Sequence, residues 1–335
     1  MAAAGSGAAA VLALSALGAE ADSPATAARL PQARLYAPES PFNTRIPPRP
    51  ALSRASAAMS AGLARTQAEE GARIALREYT VPLYMADRGT PRRRVRMTAS
   101  WRPRRALLRV PIPDAALPDP ASDGHLAVID RSSGCEYDFW RLRRTGRGWE
   151  ASWGNALPVR GTGVYRRGFS ARGSGFALLA GLITPAELRR GRIDHALLLS
   201  YPYTRAGGPV RPATESDGRT PGRQAIPEGA RLQLDPRLDL DALGLRGYER
   251  TIARALQVHG AFVGDTGGIG ISLYALHPQS TAGFPYDGLL PDETFPPLDG
   301  IPFERMRVLR LGARHRDEPR IVRNGCARYA RLRRR

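Results

Sequence analysis

Glu136 and Asp138 stand two residues apart in the segment Cys-Glu-Tyr-Asp-Phe-Trp, a spacing that places both acids on one side of a strand. Residues 135–142 read as that strand, because turn residues bound them on both sides. Side chains alternate along it, so Cys135, Tyr137 and Phe139 face one way and Glu136, Asp138 and Trp140 the other. Two carboxyls beside an indole suit sugar cleavage. One acid protonates the leaving oxygen, the other acts as nucleophile or base, and the indole stacks on a sugar ring. Same-face neighbours lie roughly 6.5–7 Å apart along a strand, and rotamers shift the carboxyls either way. Both retaining and inverting chemistry therefore stay open. The competing interpretation is a solvated acidic face pairing with arginines of a neighbouring strand.

A second constellation lies in residues 193–203, Ile-Asp-His-Ala-Leu-Leu-Leu-Ser-Tyr-Pro-Tyr. Read as a strand, it aligns His195, Leu197, Leu199, Tyr201 and Tyr203 on one face. A histidine, a tyrosine and a nearby arginine suit β-elimination on a uronate polymer. A base takes the C5 proton, Tyr201 protonates the leaving oxygen, and the arginine neutralises the carboxylate. A histidine flanked by leucines is also a common core residue. Thr214-Glu215-Ser216-Asp217-Gly218 is a polar loop able to bind sugar hydroxyls or a cation through oxygens, or simply to turn. Asp123-Gly124-His125 opens a strand and reaches toward Glu136 across a hairpin. The candidate catalytic set is thus Glu136, Asp138, His195 and Tyr201. Asp123, His125, Trp140, Trp153, Tyr203, Glu215 and Asp217 are candidates for substrate contact.

Several classes are disfavoured. There is no Cys-x-x-Cys and no Cys/His cluster, so no metal site is expected. Gly267-Gly268-Ile269-Gly270 lacks the Lys and Ser/Thr of a phosphate loop, and no nucleotide fingerprint occurs, so no cofactor is expected. Jelly-roll glucanases of the laminarinase type carry Glu-x-Asp-x-x-Glu, and here the last position is Trp140 or Arg141. Gln257-Val258-His259 has the spacing of an alginate-lyase element, but it ends an amphipathic helix, and the companion Tyr-Lys-Ala-Gly is missing. The net charge of +19 points toward anionic partners. The chain has no lysine, however, and its arginines are spread along it, as a GC-rich genome would dictate. Nucleic acid is therefore not expected as a partner. An acidic polysaccharide agrees with the charge in sign.

The elements that must position these residues follow from turn chemistry. With 35 Gly and 29 Pro in 335 residues, short strands are favoured over long helices. Residues 125–130, 135–142 and 149–153 predict an antiparallel meander joined by Arg131-Ser-Ser-Gly134 and Thr145-Gly-Arg-Gly148. Helices are expected within residues 51–78, at Thr184-Pro185-Ala186-Glu187, where a Thr cap precedes Pro and Glu, and at residues 246–259. Further strands are expected at 230–235, Ala-Phe-Val-Gly-Asp and Ile-Ser-Leu-Tyr-Ala-Leu. The predicted fold is mainly β, an antiparallel jelly-roll-like sandwich with two or three short helices in loops. It occupies residues 51–312. A Pro/Ala-rich leader at 22–50 is expected to wrap it through Tyr36, Phe42 and Ile46, with a basic tail at 313–335.

Asp-Gly-His-Leu-Ala-Val-Ile-Asp, Cys-Glu-Tyr-Asp-Phe-Trp, the long phrase from Ala180 to Tyr203, and that from Thr251 to Gly268 together resemble a set of exported bacterial proteins of high-GC organisms. The resemblance covers roughly residues 120–275. It implies a common β-sandwich with two helices in loops and carries over no catalytic residue. Residues 8–17 are apolar and lead to Ala19-Glu20-Ala21, the pattern of a signal peptide cleaved after Ala21, although no basic residue precedes them. The stretch is too short to span a bilayer. Cys135 and Cys326 fit one disulfide in an exported protein, or two separate buried thiols. The chain is therefore expected to be a secreted or envelope monomer that cleaves, or else only binds, a polysaccharide.

Overall fold

The computed structural model describes residues 34–166, 169–281, 283–317, 320–321 and 324–331. The expected signal peptide and the first part of the leader lie outside these residues. In chain order come α1 (Ser56–Glu70), β1 (Ala72–Ala75), β2 (Leu83–Ala86), β3 (Arg92–Met97), β4 (Arg105–Pro111), β5 (Leu126–Asp130) and β6 (Cys135–Trp140). Then follow β7 (Arg143–Thr145), β8 (Gly148–Ala151), β9 (Trp153–Pro158), α2 (Pro185–Arg189), β10 (Leu197–Ser200) and β11 (Arg231–Leu234). The series closes with α3 (Gly247–Val258), β12 (Ala261–Asp265), β13 (Ile271–Tyr274), β14 (Met306–Val308) and β15 (Tyr329–Arg331). The protein is mainly β.

These strands make three sheets. The largest runs β1-β13-β10-β12-β11-β14, the second β15-β4-β3-β8-β7, the third β2-β5-β6-β9. The sheets are mixed, not antiparallel as the meander suggested. β1–β13, β2–β5, β3–β8 and β10–β12 pair in parallel. Turn residues report only neighbours joined by a short hairpin, whereas a parallel pair needs a long crossover. The meander itself needs one correction. β5 and β6 form the expected hairpin, but the third strand, β9, begins only at Trp153, while Trp149 belongs to β8. The β7–β8 hairpin leaves this sheet to join the second.

Three apolar cores separate the layers, and strand alternation divides residues among them. Leu197 and Leu199 of β10 pack with α1 and α3 on one side of the large sheet. Leu198 points to the other side, where Ala127 and Ile129 of β5 meet Phe176, Phe262 and Phe42. Leu126 and Val128 turn outward to the second sheet, against Val95, Leu107 and Trp149. In α3 the inward set Tyr248, Ile252, Ala255 and Leu256 is buried as the period demands, each large aliphatic contributing about 1.5–3 kcal/mol. α2 carries the expected capping box, with the Thr184 side chain and Glu187 satisfying each other's backbone N–H groups.

The ends of the described chain are part of this packing. Tyr36, Phe42 and Ile46 are buried, so residues 34–50 do wrap the domain. Cys326 is bonded to Cys135 across 191 positions of sequence. β15, from the segment expected to be a tail, pairs with β4.

Candidate functional site

The nominated residues do not share one place. Glu136 and Asp138 project from β6 into the core between the large and third sheets, and both are fully buried. They are therefore not a solvated acidic face. Glu136 accepts from the Tyr36 hydroxyl at 2.8 Å and the Leu179 N–H at 3.2 Å. Asp138 accepts from the Tyr165 hydroxyl at 2.9 Å and the Leu178 N–H at 3.0 Å. Burial first, then the Asp138 charge, lifts Glu136 well above the usual carboxyl range. Burial likewise lifts Asp138 to about 6, against its hydrogen bonds. Both carboxyls therefore favour the neutral form more than a free acid does, Glu136 the more strongly.

His195 lies before β10 and not in it. Its Nε2 is 3.0 Å from Glu187 Oε1. Burial opposes the imidazolium, but the Glu187 carboxylate overrides it and the histidine is raised. The pair lines a cavity of about 320 Å³ with Arg34, Asn43 and Arg190. Tyr201 and Tyr203 stand elsewhere, edge to face at 5.7 Å, where the Tyr203 hydroxyl donates to Glu70 on α1 at 2.6 Å. Trp153 is fully buried, donates its indole N–H to the Phe169 carbonyl at 2.8 Å and stacks on Tyr329. It therefore packs the core and offers no face to a ligand.

The remaining nominees do converge. Arg141 turns the chain with a positive φ of 52° after β6, and its N–H donates to the Asp123 carbonyl at 2.7 Å. Asp123 is thereby held beside Trp140, whose indole N–H donates to Asp123 Oδ1 at 3.1 Å. The Arg141 guanidinium covers the Trp140 ring at 4.5 Å. Trp101 lies 6.0 Å from Trp140 and is 58% exposed. Beneath Trp101 sits Arg102, sandwiched on Phe169 and paired with Glu215 at 2.6 Å. Glu215 also accepts the Ser170 N–H at 2.8 Å, so its role is to hold Arg102 under the indole.

Behind this face lies a buried charge centre that the sequence did not reveal. Arg172, fully buried, donates to Asp265 Oδ2 at 3.2 Å and to the Leu178 carbonyl at 3.2 Å, and lies over the Tyr274 ring at 4.9 Å. Asp265 ends β12 beside Ser200 at the end of β10. Burial pushes Asp265 up to about 7, against Arg172, with Asp217 and Asp123 adding to the rise. His125 is pushed down to about 4 by burial and stays neutral, its Nδ1 without a hydrogen-bond partner among the described residues. Asp217 accepts from the Thr266 hydroxyl at 2.5 Å. Asp265 is the last residue of Ala-Phe-Val-Gly-Asp, read from the sequence as a strand. Its place at the end of a buried strand was the one available signal. Trp101 and Arg172 carry no motif.

The arrangement offers an exposed indole edged by arginines, with carboxylates next to it. Such a surface can stack an apolar ring face while accepting hydrogen bonds from the hydroxyls around it. No protein-family model, curated protein or solved structure matches the chain.

Proposed function

We propose that this chain is an exported carbohydrate-active protein that engages a polysaccharide across the face of Trp101, Trp140 and Asp123. The observation that carries this is the exposed Trp101 indole set against Trp140, with Asp123 fixed on the Trp140 N–H. A sugar ring lays its C–H face on Trp101, and its hydroxyls donate to Asp123. Arg141, exposed beside Trp140, favours uronate or sulfate groups on the same polymer. Export is supported by the Cys135–Cys326 bond, a feature of oxidising compartments, and by the apolar stretch ending at Ala21.

Binding is favoured over cleavage because Glu136, Asp138, His195 and Tyr201 do not meet at one open point. Glu136 and Asp138 are sealed in the core, and His195 and Tyr201 lie apart from them.

Affinity electrophoresis through neutral and uronate-containing polysaccharides tests the proposal. At least one glycan is expected to retard the protein, and Trp101→Ala to weaken that affinity about fivefold or more. Release of reducing ends or of unsaturated uronate absorbance on the same panel is the measure of cleavage.

A further inference from the structure

Three carboxylates meet at the polar end of the large sheet from distant parts of the chain. Asp217 comes from the loop after the cis Arg211–Pro212 bond, Glu228 precedes β11, and Asp265 ends β12. One oxygen from each lies within 4.8 Å of those of the other two. We infer that Asp217, Glu228 and Asp265 hold a divalent cation of the calcium or magnesium class.

Proximity of acids alone does not make a site. The independent observation is Glu228. Its side chain is completely buried, Oε2 accepts the Asp217 N–H at 3.1 Å, and Oε1 has no hydrogen-bond partner among the described residues. A buried carboxyl oxygen with no donor is costly unless a proton or a cation meets it, and burial pushes Glu228 well above the usual carboxyl range while the site is empty. Among the described residues, Arg172 is the sole cation in an ion pair with the trio, and it engages only Asp265. Asp217 receives a hydroxyl from Thr266, which orients it without neutralising it. The backbone also leaves room. A Cβ on Gly173 would stand 2.9 Å from the Asp217 carboxyl, so a side chain there would push this carboxylate off its position.

The donor set names the ion. All three ligands are hard oxygens, and no histidine or cysteine belongs to the group, which disfavours zinc and copper. Asp217 is exposed while Glu228 is buried, so one side of the ion stays open to water or to a ligand's oxygens. This inference does not depend on the glycan reading.

The test uses the full chain after treatment with a chelator, titrated calorimetrically with CaCl2 and separately with MgCl2. Saturable one-to-one binding is expected, with a rise in melting temperature. Asp217→Ala, a change at an exposed position, should weaken that binding roughly tenfold or more while the protein stays folded by circular dichroism. Glu228→Gln should do the same where it folds. Absence of saturable binding of either ion at about millimolar concentration would overturn the inference. So would unchanged binding in Asp217→Ala.

Discussion

The carboxyl groups of Glu136 and Asp138 project from one face of β6 into a core closed to solvent, and each is held by a tyrosine hydroxyl, Tyr36 for Glu136 and Tyr165 for Asp138. Tyr36 belongs to the N-terminal arm and Tyr165 to the segment after β9, so the pair fastens two excursions of the chain onto β6. Buried carboxyls in this state bind protons more tightly in the folded protein than in the unfolded chain.

Stability should therefore fall as pH rises through this pair. A raised carboxyl favours folding fully below its unfolded value, and that contribution is lost on the way up to its folded value. For Asp138 the window runs from about 4 to about 6, and Glu136 extends it upward. Asp235 and Asp130, lowered by their surroundings, pull the other way, so a comparison of two proteins isolates the effect. Glu136→Gln should melt with a flatter pH profile than the parent above about pH 4. Parallel profiles would contradict this account of the pair.

Arg172 is the buried counter-charge for Asp265 and a prop for the Leu178 carbonyl. Arg172→Met keeps the volume and removes the charge, leaving Asp265 partly uncompensated. A loss of about 3–5 kcal/mol is expected from urea denaturation. A change within about 0.5 kcal/mol would show that the guanidinium is dispensable.

The disulfide closes most of the chain into one loop and ties the C-terminal segment to β6. In the chain-entropy model a loop of 191 residues is worth about 5 kcal/mol. Guanidinium denaturation with and without reductant should show a large drop in midpoint on reduction. Coincident curves would mean that the bond contributes nothing.

Local elements were legible in the sequence because their signals are local. The Thr184–Glu187 box, the stripe on α3, the β5–β6 hairpin and the burial of Tyr36, Phe42 and Ile46 all follow from spacing over a few residues. The alternation along β6 was legible too, but not that both of its faces are covered, because the third sheet lies between two others. The parallel pairings and the departure of β7–β8 depend on contacts across long connections. The charge centre was hidden for the same reason. Arg172 and Asp265 are 93 positions apart, and neither belongs to a motif. His195 looked like a strand residue because the apolar run continues past it, yet the ladder starts only at Leu197.

The surface of Trp101 and Trp140 is the center of the functional account, and one binding measurement addresses it most directly. Affinity electrophoresis on neutral and uronate-containing polysaccharides should compare the parent with Trp101→Ala and with Trp153→Phe, a change in the buried core. Retardation is expected for the parent, about fivefold or more weaker binding for Trp101→Ala, and parental affinity for Trp153→Phe. Equal affinity in Trp101→Ala and the parent, or no retardation by any polysaccharide, would contradict the account.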